Sequence, residues 1–124
     1  MAVLDANILI YSSLDEFSYL RSLISKDNVV SEISRLEVLG YSNITDEEKN
    51  YFESAFAILK VVPITSLIID SAIEIRKQKK MSVGDSIIAA TALSLNMEML
   101  TRNTDDFANF QDLKVINPIN DYSE

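Results

Sequence analysis

Met1-Ala2-Val3-Leu4-Asp5-Ala6-Asn7-Ile8-Leu9-Ile10-Tyr11 is the stretch on which the fold turns. An apolar run is followed by a single acid and then by a segment able to wind into a helix. The pattern predicts a short buried strand at Met1–Leu4 and a helix over Ala6–Ser13, with Asp5 at its mouth. The same succession recurs down the chain. Asp15–Lys26 carries Phe17, Leu20, Leu23 and Ile24 and is expected to be a second helix. Asn28–Val30 is expected as a strand, and Ser31 as the cap of a helix running to about Tyr41. Thr45 and Glu48 form a capping box for a helix over Asp46–Leu59, followed by a strand at Lys60–Val62 that Pro63 ends. A helix from about Ser66 to Lys79 comes next. Ser82 and Asp85 then start an unusually apolar helix, Ser86–Leu95, and Met97–Leu100 and Lys114–Ile116 are the last strands, with a helical turn near Phe107 between them. Strands alternating with helices predict an α/β fold, a central parallel sheet flanked by helices on both faces. In such sheets ligands sit outside the carboxyl ends of the strands.

The 124 residues match one domain, expected over 1–124, with 48% hydrophobic residues as in globular proteins. Apolar runs such as Leu67–Ile69 and Ile87–Ala90 are too short to span a bilayer, and no basic leader precedes Met1, so a cytoplasmic protein is expected. Two absences narrow the chemistry. With 0 Cys there is no disulfide, thiolate nucleophile or Cys-ligated metal, and with 0 His there is no imidazole base, Ser-His-Asp triad or His-ligated metal. Enzymatic work would fall to carboxylates, hydroxyls, Lys/Arg or a hard cation, and oxygen donors favour Mg²⁺ or Mn²⁺. The net charge of -8 argues against a general nucleic-acid binder but not against a nuclease, whose acids and bound metal belong together. The basic run Arg76, Lys77, Lys79 and Lys80 fits either a solvated helix end or a surface for RNA.

Several carboxylates stand out by position. Asp5 follows the first strand, and Asp105 and Asp106 follow the strand Met97–Leu100, so both groups fall at the carboxyl edge of the sheet. Taken singly, Asp5 reads equally well as a helix cap, and the pair as a polar loop. Glu37 shares a stripe with Ile33, Gly40 and Tyr41, opposite a solvated face with Glu32 and Arg35; a carboxylate there is costly unless paired or metal-bound, or it lies at the stripe's edge and reaches solvent. Asp85 shares its face with Ile88, Ala89 and Ala92. It serves as a helix-start residue with Ser82, and the helix terminus is expected to favour its anion. Clustered acids raise one another's pKa unless a cation neutralises them, so their convergence implies metal.

At these residues the chain resembles the PIN-domain family and, within it, the VapC toxins of type II toxin–antitoxin pairs. The matching pieces are Leu4-Asp5-Ala6-Asn7-Ile8-Leu9-Ile10-Tyr11, Ser34-Arg35-Leu36-Glu37-Val38-Leu39-Gly40-Tyr41, Asp85-Ser86-Ile87-Ile88-Ala89-Ala90-Thr91-Ala92-Leu93, Thr101-Arg102-Asn103-Thr104-Asp105-Asp106-Phe107 and Val115-Ile116-Asn117-Pro118. The resemblance implies a PIN-domain fold with Asp5, Glu37, Asp85 and Asp106 as catalytic and metal-holding acids. Asp105 is the second choice for the fourth place, and Asn7, Ser34 and Asn103 are supporting groups. It implies hydrolysis of RNA phosphodiester bonds with one or two Mg²⁺ or Mn²⁺, leaving 5′-phosphate and 3′-hydroxyl ends. It also implies a homodimer and a VapB-like antitoxin whose basic or polar tail would be drawn to an acidic site. Phe17, Tyr19, Phe52 and Phe56 would supply a groove or dimer surface, or else core. Gly84 departs from the family pattern, where a larger residue is expected, and leaves the shape of that turn open.

Two other readings compete. One is a non-toxin PIN nuclease acting on structured RNA or DNA, which the short chain disfavours. The other is a Mg²⁺-binding phospho-receiver-like signalling domain, which needs an acid after the middle strand; here Pro63, Ile64 and Thr65 follow Lys60–Val62. A catalytically dead binding module is opposed by the full set of acids.

Overall fold

The structure is a computed structural model that describes residues 1–108 and 110–119. Its strands are β1 (Ala2–Leu4), β2 (Val29–Ser31), β3 (Lys60–Val62), β4 (Glu98–Leu100) and β5 (Val115–Ile116). Its α-helices are α1 (Ala6–Ser12), α2 (Glu32–Leu39), α3 (Asp46–Ile58), α4 (Ser66–Gln78) and α5 (Val83–Leu95). All strand pairs are parallel, in the order β3-β2-β1-β4-β5.

Alternation along the strands sorts the core into two layers. Ala2 and Leu4 of β1, Val30 of β2 and Leu100 of β4 pack with Ile8 and Leu9 of α1 and with Phe52 and Phe56 of α3. Val3, Val29 and Met99 point the other way, against Ile68 and Ile75 of α4 and the apolar run of α5. Helices therefore cover both faces, as the alternation of elements predicts. Helix α2 lies at the seam, with Val38 in the first layer and Ile33 packed on the second.

Several ends have local causes. Thr45 Oγ1 accepts the Glu48 N–H at 3.1 Å while Glu48 Oε1 accepts the Thr45 N–H at 3.0 Å, completing the capping box of α3. Helix α5 stops at Asn96, a residue able to take the left-handed conformation seen there, φ 55°. Asn28 Oδ1 accepts the Ala2 N–H at 3.0 Å, fastening the start of β1 to the loop before β2.

The expected helix over Asp15–Lys26 is instead a 3-10 segment over Asp15–Leu23, broken at Phe17 (φ -114°, ψ 24°). The reason is legible afterwards. Leu20 and Leu23 recur at the 3-10 spacing of three and both pack on the core, while Phe17, at the break, packs on it from the preceding turn. Of the aromatic residues considered for a binding groove, Phe52 and Phe56 are core, Phe17 packs against it edge-on to Tyr11 with centroids 4.9 Å apart, and Tyr19 is exposed. No helix among the described residues is long and apolar enough to cross a membrane.

Candidate active site

The sheet order sets the site. The chain leaves β1 toward β2 and β3 on one side and returns to β4 and β5 on the other, so the strand order switches between β1 and β4. At such a point the outgoing loops diverge and open a crevice at the carboxyl ends. Leu4 and Leu100 are in register there, and the Asp5 N–H donates to the Leu100 carbonyl at 2.9 Å, which places Asp5 beside Thr101.

Asp5 is buried and held from several sides. The buried Thr101 hydroxyl donates to Asp5 Oδ2 at 2.7 Å, and Asn7 Nδ2 donates to the same oxygen at 3.2 Å. Asn7 Nδ2 also reaches Thr101 Oγ1 at 3.3 Å, while Asn7 Oδ1 accepts the Arg102 N–H at 3.3 Å. The Asn103 N–H completes the set by donating to Thr101 Oγ1 at 3.1 Å. Burial pushes the Asp5 carboxyl up; the bond from Thr101 opposes this, and the charges of Asp85 and Asp106 add to it.

Glu37 comes from α2 and Asp85 from the first turn of α5. Both are raised above their ordinary values. For Glu37, partial loss of hydration leads, followed by repulsion from Asp5 and Asp85. For Asp85, loss of hydration leads, a bond from Ser82 opposes it, and the charge of Asp106 adds to it. Asp106 lies in the 3-10 turn Thr104–Phe107 after β4. The structure thus brings Asp5, Glu37, Asp85 and Asp106 within mutual electrostatic reach, from four separate segments. Asp105 is exposed; its carbonyl accepts a hydrogen bond from Lys79 Nζ at 2.9 Å.

Two expectations change. The helix start does not leave Asp85 a favoured anion, because loss of water and the neighbouring acid outweigh the stabilising bond. The stripe containing Glu37 is not apolar interior either: Tyr41 and Gly40 are exposed, and α2 buries Ser34 and Val38 instead. Glu37 is largely exposed, with its carboxylate turned against the start of α5. There Gly84 explains itself. A Cβ at position 84 would collide with Glu37 Oε2 and meet Cδ at 3.2 Å, so the missing side chain makes the space that the Glu37 carboxylate occupies. The turn itself is ordinary, with Ser82 Oγ accepting the Asp85 N–H at 3.1 Å.

Of the supporting residues, Asn7 touches Asp5 directly and Asn103 acts through its backbone. Ser34 is fully buried one turn before Glu37, and its Oγ is the one buried side-chain polar atom without a partner among the described residues. Thr101 is the site residue that sequence reasoning gave no role. Its role comes from strand register, since it is the first residue beyond β4, directly across from the first residue beyond β1.

The donor set is oxygen throughout, which suits a hard divalent cation, and the mutually repelling acids are what such an ion would neutralise. As they stand, no three acids among the described residues are drawn close enough to hold one ion by themselves. Part of the coordination would fall to water, as Mg²⁺ prefers.

Comparison with known proteins agrees with this fold. The chain superposes on a toxin–antitoxin complex from Klebsiella pneumoniae with a TM-score of 0.79 and 28% identity, covering 96% of this chain and 98% of that one. It superposes on FitAcB from Neisseria gonorrhoeae with a TM-score of 0.76 and 26% identity, covering 95% and 98%. VapBC2 from Rickettsia felis, solved bound to a DNA fragment from its promoter, shares the fold at 20% identity, with a TM-score of 0.76 and coverage of 94% and 97%. No curated protein matches the chain. The family comparison matches the PIN domain over residues 2–113, and the chain belongs to the PIN domain family.

Proposed function

We propose that this chain is a metal-dependent endoribonuclease, the toxin of a type II pair of the VapBC kind. The observation that carries the reading is the convergence of Asp5, Glu37, Asp85 and Asp106 at the switch point of the sheet, three of them raised in pKa by lost hydration and by one another. Such an arrangement is costly to the fold and useful for holding a cation.

Asp5 and Asp85 would hold Mg²⁺ or Mn²⁺ directly, with Asp106 and Glu37 completing the cluster. When bound, the ion supplies Lewis-acid polarisation of the scissile phosphate and a lowered pKa for water. The chain's own contribution is positional. Thr101 and Asn7 fix Asp5 Oδ2, so the deepest acid cannot rotate away. Gly84 admits the Glu37 carboxylate, which stays partly hydrated and orients the attacking water. Attack in line on phosphorus expels the 3′-oxygen and leaves a 5′-phosphate.

The structural neighbour from Klebsiella pneumoniae supports an antitoxin partner, because it is a toxin–antitoxin complex. A basic antitoxin tail would meet the acid cluster with complementary charge. We take residues 1–124 as one domain, acting as a homodimer in the cytoplasm.

The test is incubation of the purified chain with total RNA and Mg²⁺ or Mn²⁺, with chelated and Asp85→Asn controls. Discrete cleavage requiring both metal and Asp85 is expected. Absence of both cleavage and metal binding by the folded chain would overturn the reading.

A further inference from the structure

We propose that the groove between α4 and α5 carries the sugar–phosphate backbone of a single-stranded RNA up to the acid cluster. The inference rests on the nuclease reading above and concerns how a polyanion reaches a site that repels it.

The chain holds 19 acidic residues against 11 basic ones, and the proposed site draws together acids that repel one another. A phosphate backbone approaching it needs cations nearby that are not consumed by the site. Four of the 11 basic residues fall within Arg76–Lys80, at the end of α4 and just beyond it. They line a groove of about 550 Å³ together with Ile69 and Ile73 of α4 and Ser86 of α5.

The groove neighbours the site at two points. Ser86 adjoins Asp85 in the chain. Lys79, at the other wall, donates through Nζ to the Asp105 carbonyl at 2.9 Å, one residue from Asp106. A carbonyl partner leaves the ammonium its full charge. Arg76 Nε caps the Met81 carbonyl at 3.2 Å and likewise keeps its charge unpaired with any acid among the described residues. Lys77 pairs only with the exposed Glu74, at 3.2 Å, an ion pair that a phosphate readily replaces. The other basic residues are more scattered, and Arg21, Arg35 and Lys114 are each paired with an acid.

The chemistry of the lining also fits a single strand. Arg76, Lys77, Lys79 and Lys80 gather at the carboxyl end of α4, where phosphates would lie, and Ile69 and Ile73, earlier on the same helix, give unstacked bases an apolar surface on which to leave water. A duplex, with its bases stacked inside, has no use for that wall.

The test uses the full chain and a fluorescent single-stranded RNA of mixed sequence, with binding followed by anisotropy over a salt series in chelator. The double variant Lys77→Gln/Lys80→Gln is compared with a control of equal charge change, Lys26→Gln/Lys49→Gln, on exposed positions away from the groove. Two lost phosphate contacts should lower the slope of log affinity against log salt by about 1.4, with affinity at low salt down by roughly 10-fold and the control unchanged. Cleavage by the groove variant in Mn²⁺ should show a raised KM and an unchanged kcat. Equal slopes for the two double variants would overturn the groove while leaving the nuclease reading intact. Loss of slope in the groove variant, beside a wild-type chain that binds RNA but cleaves none, would keep the groove and sink the nuclease. A sedimentation change from dimer to monomer in the groove variant alone would show a second copy seated there and overturn the assignment to RNA.

Discussion

Two helix starts in this molecule share a pattern and use it differently. At α3, Thr45 and Glu48 close on each other, hydroxyl to backbone and carboxylate to backbone. At α5, Ser82 accepts from the backbone of Asp85 at 3.1 Å, and the return bond from an Asp85 carboxylate to the Ser82 backbone is not formed among the described residues. The acid at α3 is spent on the helix. The acid at α5, one methylene shorter, is left facing Asp106 and pays for it in lost hydration. The difference teaches that a capping signature fixes where a helix begins but not whether its acid is available for chemistry. What surrounds the carboxylate decides that.

The comparison breaks most visibly at Asp85. Asp85→Asn keeps the shape and the helix start but removes the charge, and cleavage should fall by about 10²–10³-fold, a loss of the size seen when one preorganised electrostatic group is removed. Circular dichroism should be unchanged. Retained cleavage would show that the acid at α5 is as structural as the one at α3.

Thr101→Val comes next. It deletes the hydrogen bond to Asp5 Oδ2 without changing volume much, so Asp5 is pushed further up and held less firmly. Mn²⁺ affinity measured by calorimetry should weaken by roughly 10–100-fold, as for other groups that orient metal ligands. An unchanged affinity would mean that Asp5 does not hold the ion.

Gly84→Ala sharpens the contrast in the opposite sense, because it touches neither the cap nor the charge. Position 84 is helical with no positive φ, so alanine suits the backbone and should stabilise it by up to about 1 kcal/mol. The new Cβ displaces the Glu37 carboxylate, the flexible end of an exposed side chain. Thermal melting should therefore hold or improve while kcat falls by about 10-fold. Activity equal to wild type would free Glu37 of any role. At the other helix start, Thr45→Ala should cost about 1 kcal/mol of stability in denaturant melts and leave cleavage alone.

Much of this was legible in the sequence, and for a physical reason. A parallel sheet forces alternation between strand and helix, and an acid immediately after a strand has few places to be other than the sheet edge. Asp5 and the pair Asp105 and Asp106 follow from that rule, whereas Asp85 follows no strand and is marked by the helix start at Ser82. What was not legible depended on contacts between segments distant in the chain. Thr101 gains its role from lying opposite Asp5, which only strand register reveals. Gly84 looked like a departure until Glu37, 47 positions earlier, turned out to need its space. The pKa of Asp85 moves up, opposite to the pull of the helix terminus, because that terminus is a local effect and loss of hydration is not. The 3-10 segment at Asp15–Leu23 was missed because a spacing of three lies close to the α-helical repeat and short apolar runs do not separate the two.

The smallest effect expected is in the pH dependence of the metal-free fold. Asp5, Glu37 and Asp85 all have folded pKa values above their ordinary ones, so the folded state holds protons more tightly than the unfolded chain. The stability they contribute is fully present below the unfolded carboxylate values, and it is lost as pH rises through the raised folded values. The melting temperature of the chelated protein should therefore fall as pH rises above the ordinary carboxylate range, opposite to the usual behaviour of salt-bridged carboxylates. Saturating Mg²⁺ should stabilise chiefly at the higher pH, because it binds the deprotonated acids. Asp85→Asn should flatten the metal-free slope, having removed one of the three groups and relieved part of the repulsion on the other two. The capping acid offers the matching control, because Glu48→Gln removes one negative charge outside the cluster. If both substitutions flatten it equally, the trend belongs to the chain's overall charge of -8 and not to the cluster. The distinction between the two helix starts would then rest on geometry alone.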